Sequence, residues 1–412
     1  MQGMHGCAAA ALVLGAALAA NGAIEITCDY PGGNVKVEKI DEAAGVVKVA
    51  PDLRDTKHKW FHFDFTLTGA AGRTLHFQFP SNSFNYLATL GPAISRDGGT
   101  TWRWLNSDGT RHEPGNAFDY TFGADENKTR FAVSIPYNQK HWDAATARWR
   151  GKEGVTFGVL CKSQSGKRDT ELLRIPCRKG NAKWIFAFTA RHHACETTAN
   201  AVMEGVIDEV LSGSKEGEWI RDNVDCVFVP FMDKDGVENG DQGKHRAPHD
   251  HNRDYTAEIY TSVKAFKKLL VTESEGKQIV FFDLHSPMIR PRGKTGSSDN
   301  VFTFSTPNPR LADRVATFRR LWAEEQKGKA LVYDGKYDDG GSKRQNARLA
   351  KARKTGLQNS RGWVEGLPNC WFSICCEFGY SLCGGVFTQD GGRELGRGLL
   401  KAASRTCSQD GK

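Results

Sequence analysis

Trp184-Ile-Phe-Ala-Phe-Thr-Ala-Arg-His-His-Ala-Cys-Glu-Thr-Thr-Ala-Asn200 changes character halfway along. Residues 185–189 form a short apolar run of aromatic and β-branched side chains, which reads as a buried strand. From Thr197 the apolar positions Val202, Val206, Ile207 and Val210 recur at helical spacing. Between strand and helix stand Arg191, His192, His193 and Glu196. A strand end that delivers an imidazole and a carboxylate three residues apart can offer both to one zinc ion. A catalytic zinc takes three protein ligands and keeps one position open. His-x-x-Glu alone recurs by chance, so the reading depends on what the rest of the chain adds.

Downstream, strands and helices alternate. Apolar runs at 224–229, 278–284 and 371–377 read as strands, with helical patterns over 197–211, 256–271, 309–325 and 393–403. Such alternation predicts an α/β domain with a mainly parallel mixed sheet and helices on both faces. Binding residues in these sheets collect on loops beyond the carboxyl ends of the strands. Three runs obey that rule: one leads to His193 and Glu196, the second ends in Asp283-Leu-His285, and the third ends at Glu377. A single His or Glu at a strand end is more often a hydrogen-bonded surface residue. Three separate arrivals argue for a shared site.

Upstream, residues 24–150 show runs with a period of two, among them Asn34-Val-Lys-Val-Glu38, Trp60-Phe-His-Phe-Asp-Phe65, Thr74-Leu-His-Phe-Gln-Phe79 and Phe131-Ala-Val-Ser-Ile135. Turn signals such as Pro31-Gly-Gly33 and Asp97-Gly-Gly99 separate them, so this part is expected to be an N-terminal antiparallel β-sandwich. The boundary with the α/β domain is expected at 150/151. Residues 8–20 contain only Ala, Leu, Val and Gly and are followed by Asn21-Gly-Ala23. That run is too short to span a bilayer and reads as a signal peptide over 1–23, hence a secreted or periplasmic protein without stable membrane insertion.

Composition sets the remaining bounds. With 412 residues, 39% hydrophobic and 25% charged, the chain has the makeup of a folded two-domain protein. The net charge of +8 is scattered. The densest basic stretches, Lys343-Arg344 and Lys351-Ala-Arg-Lys354, are too short to argue for nucleic-acid binding. Eleven cysteines include no Cys-x-x-Cys pair, which excludes a zinc ribbon. In an exported chain, Cys161 with Cys177 is a candidate local bridge.

Taken together, Ala190-Arg-His-His-Ala-Cys-Glu196, Asp233-Lys-Asp-Gly236, Asp250-His-Asn-Arg253, Asp283-Leu-His285 and Gly366-Leu-Pro-Asn-Cys-Trp-Phe-Ser-Ile-Cys-Cys-Glu-Phe378 resemble the zinc metallocarboxypeptidases related to carboxypeptidase A. The chain is most similar to their cytosolic-carboxypeptidase-like branch. Trp60-Phe-His-Phe63 and Phe131-Ala-Val-Ser-Ile-Pro-Tyr137 extend the likeness to that branch's N-terminal sandwich.

The resemblance implies a role for each matched position. His193, Glu196 and His285 would bind one zinc ion, with His192 a rival that breaks the family's spacing. Asp283 would orient His285. Glu377 would be the general base, and Asn252 with Arg253 would hold the substrate's terminal carboxylate. Arg246 lies in the region of the arginine that stabilises the oxyanion, although closer to Arg253 than the branch leads one to expect. His245, His249 and His251 in the same loop could form a second metal site, or simply a solvated polar loop. Neither Tyr333 nor Tyr337 aligns with the family's substrate-covering tyrosine.

The expected activity is therefore zinc-dependent removal of C-terminal residues from peptides with a free carboxylate, such as nutrient peptides or peptidoglycan stem peptides. A zinc amidohydrolase or deacylase would use the same ligands without requiring that carboxylate. A catalytically silent binding protein would keep the fold and not the turnover.

Overall fold

The computed structural model describes residues 22–80, 85–107, 115–289, 299–304, 306, 308–341 and 357–409. The expected signal segment falls almost wholly outside the described residues, as do the basic stretches at 343–344 and 351–354. Sixteen strands are present among the described residues. They are β1 (Glu25–Thr27), β2 (Lys36–Asp41), β3 (Val46–Ala50), β4 (Asp64–Thr68), β5 (Thr74–Gln78), β6 (Ala93–Ser95), β7 (Arg103–Trp104), β8 (Ala117–Thr121) and β9 (Lys128–Ala132) in the first part. The second part holds β10 (Thr156–Lys162), β11 (Asp169–Ile175), β12 (Trp184–Ala190), β13 (Val224–Val229), β14 (Gln278–His285), β15 (Val301–Phe304) and β16 (Cys370–Phe378).

The first nine strands form two facing sheets, β1-β4-β9-β6-β7 and β2-β3-β5-β8. Period-two alternation sends Phe65, Leu67 and Phe131 from one sheet, and Val47, Leu75, Phe77 and Phe118 from the other, into one core. Pairing is antiparallel except at β3 and β5, which run parallel. The chain leaves β3, lays β4 into the opposite sheet and returns, so the two neighbours point the same way. The alternating run that begins at Trp60 enters its ladder only at Asp64. Its first residues are buried against the second part instead, where Trp60 Nε1 donates to Cys195 Sγ at 3.3 Å.

The second part is built on a seven-stranded sheet, β10-β11-β13-β12-β14-β16-β15. Its centre, β13-β12-β14-β16, is parallel, while the β10-β11-β13 side and β15 pair antiparallel. β12 is the middle strand, and Ile185 to Ala190 are buried throughout. Its side chains alternate between two cores. Phe186 and Phe188 pack with the helices Thr198–Val210, Pro309–Glu325 and Gln389–Gln409. Ile185 and Ala187 pack with Val263, Phe266 and Leu270 of the helix Thr261–Glu273. Burial on both faces is why these strands read as continuous apolar runs. The helices Thr198–Val210 and Gln389–Gln409 approach closely enough to need glycine on each side. A Cβ at Gly205 would lie 1.8 Å from the Arg393 carbonyl oxygen, and one at Gly396 would lie 2.0 Å from that of Val202.

Ile135, Tyr137, Trp142 and Trp149, from the end of the expected sandwich, pack into the core of the large sheet. The helix Gln139–Thr146 carries part of that contact. Tyr137 donates from its hydroxyl to Glu204 at 2.6 Å, and Trp149 from its indole to Asp208 at 2.7 Å. The expected Cys161–Cys177 bridge is not formed, and both are free thiols. Cys161 faces Thr170 in the β10–β11 ladder, whereas Cys177 lies beyond β11 and donates to the Asp222 carbonyl.

Candidate active site

Parallel register brings the strand ends level. Ala190 of β12 pairs with Leu284 of β14, and His285 of β14 pairs with Glu377 of β16. The first loop leaves β12 through Arg191, which adopts a left-handed backbone with φ +60°. For a residue with a Cβ this conformation is costly and must be held by its surroundings. Here the buried guanidinium holds it, donating to the carbonyls of Ala194 at 3.0 Å and Tyr137 at 2.7 Å, and to Asn200 Oδ1 at 3.0 Å. Burial pushes the guanidinium down to about 10, against the pull of Cys195 and Glu196.

The loop so braced turns His193 and Glu196 toward β14. Nδ1 of His193 lies 2.8 Å from Glu196 Oε1, and Nδ1 of His285 lies 2.7 Å from Glu196 Oε2. All three side chains are buried, and their donor atoms fall within 4.8 Å of one another. Burial favours the neutral acid at Glu196, but His193 and His285 outweigh it and hold this carboxyl below the usual range. At His285 burial opposes the charge, while Asp283 and Glu196 more than compensate and raise it. Two imidazole nitrogens and a carboxylate, buried and converging, fit one zinc ion.

The far ring nitrogens have carboxylate neighbours. His285 Nε2 lies 2.8 Å from Asp283 Oδ2, and His193 Nε2 lies 3.5 Å from Asp250 Oδ1. Carboxylates in this position fix ring orientation and raise ligand basicity. His192 does not compete for the ligand position. Its Nδ1 faces the other oxygen of Asp283 at 2.9 Å and its Nε2 faces the Tyr255 hydroxyl at 2.8 Å. His192, Asp283 and His285 also form a compact group, but there the carboxylate is engaged by Thr189 Oγ1 at 3.0 Å and by the Ser360 hydroxyl.

Glu377 is half-buried beside this cluster. Its Oε2 is shielded from solvent and has no hydrogen-bond partner among the described residues. Burial raises its carboxyl to about 7, with His285 lowering it and Glu196 raising it. A carboxyl poised near neutrality, with an uncommitted oxygen, is suited to exchange protons.

The remaining predicted residues are placed less simply. Asn252 reaches the site from behind, with Nδ2 2.9 Å from His285 Nε2 and 3.2 Å from Asp283 Oδ2, and with Oδ1 accepting from the Ser360 amide at 3.0 Å. Arg253 is half-buried, and its Nη1 donates to the Asn252 carbonyl at 2.7 Å. Arg246, expected near the oxyanion, places its guanidinium on Asp233 at 2.7 Å, Asp55 at 2.8 Å and Asp241 at 3.3 Å, and so ties the sandwich to the second part. His251 stacks on Tyr260, and His249 pairs with Asp254 at 2.7 Å, so the loop histidines are spent on separate partners. Tyr333 is buried, stacks on Trp322 and donates to Asp338 at 2.8 Å, away from the cluster. Two residues went unassigned in the sequence reading. Asp250 stood in a quoted motif without a role, and Lys244, whose Nζ lies 2.9 Å from His193 Nε2, follows no recognisable pattern.

Residues 155–277 match the zinc carboxypeptidase family model. Cytosolic carboxypeptidase 6 of Caenorhabditis elegans is 23% identical over 327 residues, which cover 73% of this chain and 69% of the worm protein. Cytosolic carboxypeptidase 2 of Xenopus tropicalis is 25% identical over 82% of this chain, which spans only 38% of the frog protein's length. Among solved structures, the metallo-carboxypeptidase of Burkholderia cenocepacia superposes with a TM-score of 0.72 at 17% identity, covering 94% of this chain and 100% of its own. That of Pseudomonas aeruginosa, in complex with (2-guanidinoethylmercapto)succinic acid, gives 0.69 at 20% identity, covering 93% and 99%. These likenesses extend the shared fold across both sheets of the sandwich and the large sheet. No helix among the described residues is long and apolar enough to cross a membrane.

Proposed function

We propose that this chain, which carries a zinc carboxypeptidase domain of the cytosolic-carboxypeptidase-like branch, hydrolyses the C-terminal peptide bond of peptides. The observation that carries the reading is the buried His193–Glu196–His285 set with Glu377 opposite His285 in the next strand. His193, Glu196 and His285 would hold one zinc ion, which when bound supplies Lewis-acid polarisation of a carbonyl and of water. Asp283 keeps the His285 imidazole oriented. Glu377 accepts a proton from the attacking water as its oxygen bonds to the scissile carbon. It returns that proton to the amine as the carbon–nitrogen bond breaks, leaving a shortened peptide, a free amino acid and the original carboxylate. Arg253 would read the terminal carboxylate through two parallel N–H donors.

Export is part of the proposal and is supported by the apolar residues 8–20, which would bring nutrient peptides or peptidoglycan stem peptides within reach. The relatives above are named as cytosolic enzymes, and their substrates are not carried over.

One observation favours a second reading, a zinc amidohydrolase that needs no free carboxylate: Arg253 already donates to a backbone carbonyl. The two readings part on Arg253→Ala, assayed with peptide pairs that differ only in a free or amidated C-terminus across a library of terminal residues. Selective loss on the free acids supports the carboxypeptidase. Equal loss on both supports the amidohydrolase.

A further inference from the structure

Arg246 is paired with three carboxylates, and the geometry around residues 242–246 brings a second cation to the ligand cluster. Gly243 has φ +70°, and a Cβ there would lie 2.1 Å from the Ala194 amide nitrogen and 3.0 Å from the His193 carbonyl carbon. This glycine lets the loop lie directly on the His193–Glu196 loop. The residues beside it are clamped from the sandwich side. Gln242 accepts from the His62 amide at 2.8 Å and donates to the His62 carbonyl at 2.9 Å, while Cys195 donates its amide to the Gln242 carbonyl at 3.4 Å. Thr56 donates to the Lys244 carbonyl at 3.0 Å, and Lys57 to that of His245 at 3.1 Å.

With its backbone held on both sides, Lys244 extends to the metal-ligand cluster. Its Nζ lies 2.9 Å from Nε2 and 3.4 Å from Nδ1 of His193, and the side chain remains half-buried. The other cations of the region are engaged: Arg191 within its own loop, Arg246 on three carboxylates and Arg253 on the Asn252 carbonyl.

Resting on the hydrolytic reading above, we infer that Lys244 is a catalytic residue whose ammonium neutralises the oxygen anion formed when water adds to the scissile carbonyl. An ammonium fixed at the edge of a half-buried site strengthens as charge develops on the substrate and costs no reorganisation at that moment. The sandwich domain thereby contributes to catalysis indirectly, through the clamps on Gln242, Lys244 and His245.

The test compares wild type with K244M, K244Q and K244R. It measures kcat and KM on a free-acid peptide, calorimetric affinity for a phosphinic peptide that mimics the tetrahedral species, affinity for an unreactive ground-state analogue, and zinc per chain. Loss of one such donor typically costs about 10²–10³ in kcat. K244M is expected to lose kcat by about that factor with KM nearly unchanged. It should lose phosphinic-peptide affinity in proportion, while ground-state affinity and zinc content stay at wild-type levels. K244R should recover much of the loss and K244Q little. A K244M enzyme within threefold of wild-type kcat overturns the assignment, as does equal weakening of both ligands, loss of zinc, or full activity in K244Q. An active wild type with any of those results overturns only the role of Lys244. A zinc-loaded wild type inactive on all peptides overturns the hydrolytic reading as well.

Discussion

His285 and Glu377 are partners in the parallel β14–β16 ladder, so a zinc-ligand candidate and a carboxyl with an uncommitted oxygen are set side by side by strand register alone. Register within a buried sheet is strongly specified, because a slip of one residue would turn every side chain to the opposite face. Glu377 is therefore held relative to the ligand cluster by the whole sheet.

Glu377→Gln keeps the size and removes the exchangeable charge. We expect kcat on a free-acid peptide to fall by about 10²–10⁴, the usual worth of a positioned general base. Zinc content should match wild type, since Glu377 stands outside the donor set. Metal analysis of the purified variant beside its kinetics checks both parts.

Tyr255, His192 and Asp283 form a buried line behind His285, with separations of 2.8, 2.9 and 2.8 Å. Partners of this kind typically account for 10–100-fold in metal affinity. Asp283→Asn should weaken zinc binding by about that factor in a chelator competition, and Tyr255→Phe by less. If Asp283→Asn binds zinc as tightly as wild type, the line does not support the ligand.

Arg246 separates structural from catalytic use of an arginine. Its pair with Asp233 is buried, and breaking such a pair by removing one partner costs about 3–5 kcal/mol. Arg246→Met should lower the denaturation midpoint strongly while the folded fraction keeps kcat within a few-fold of wild type. A selective loss of kcat at unchanged stability would restore Arg246 to the reaction.

Stability should fall in acid through buried histidines outside the metal-ligand set. Burial lowers His62 to about 3, against the pull of the Gly32 carbonyl and with help from Arg191, Arg54 and Arg130, and lowers His141 to about 4. Unfolded histidine takes its proton near pH 6.5, so between there and pH 3–4 the unfolded chain binds more protons than the folded one. Their contribution is fully present above about pH 6.5 and is lost progressively below it. Thermal melts from pH 7 to pH 4 should show this decline, with a shallower slope in His62→Asn. An unchanged slope would remove His62 as a cause.

The order of elements and the core of the site were legible because each depends on short-range pattern. The run 185–189 announces a strand buried on both faces, and a parallel sheet collects polar groups at its carboxyl ends, so His193, Glu196, His285 and Glu377 could be read together. What escaped depends on distant contacts. Arg246 looked available until Asp55, from the sandwich, and Asp233 and Asp241 appeared around it. Lys244 carries no local signal at all, because only the close approach of Gly243 to Ala194 brings it to His193. The alternating residues Trp60 to His62 imitate a strand but are spent on the contact between the two parts. The hairpin of β10 and β11 is less legible because β10 lies at the sheet edge, where none of its residues is fully buried.

The central claim is tested most directly by incubating the zinc-loaded protein with one set of peptides in two forms, free acid and C-terminal amide, and following the products by mass spectrometry. The account predicts stepwise loss of single residues from the free acids, little or no reaction of the amides, and no reaction of either after chelation. Cleavage of both forms at equal rates, internal cleavage, or turnover that survives removal of zinc would contradict it.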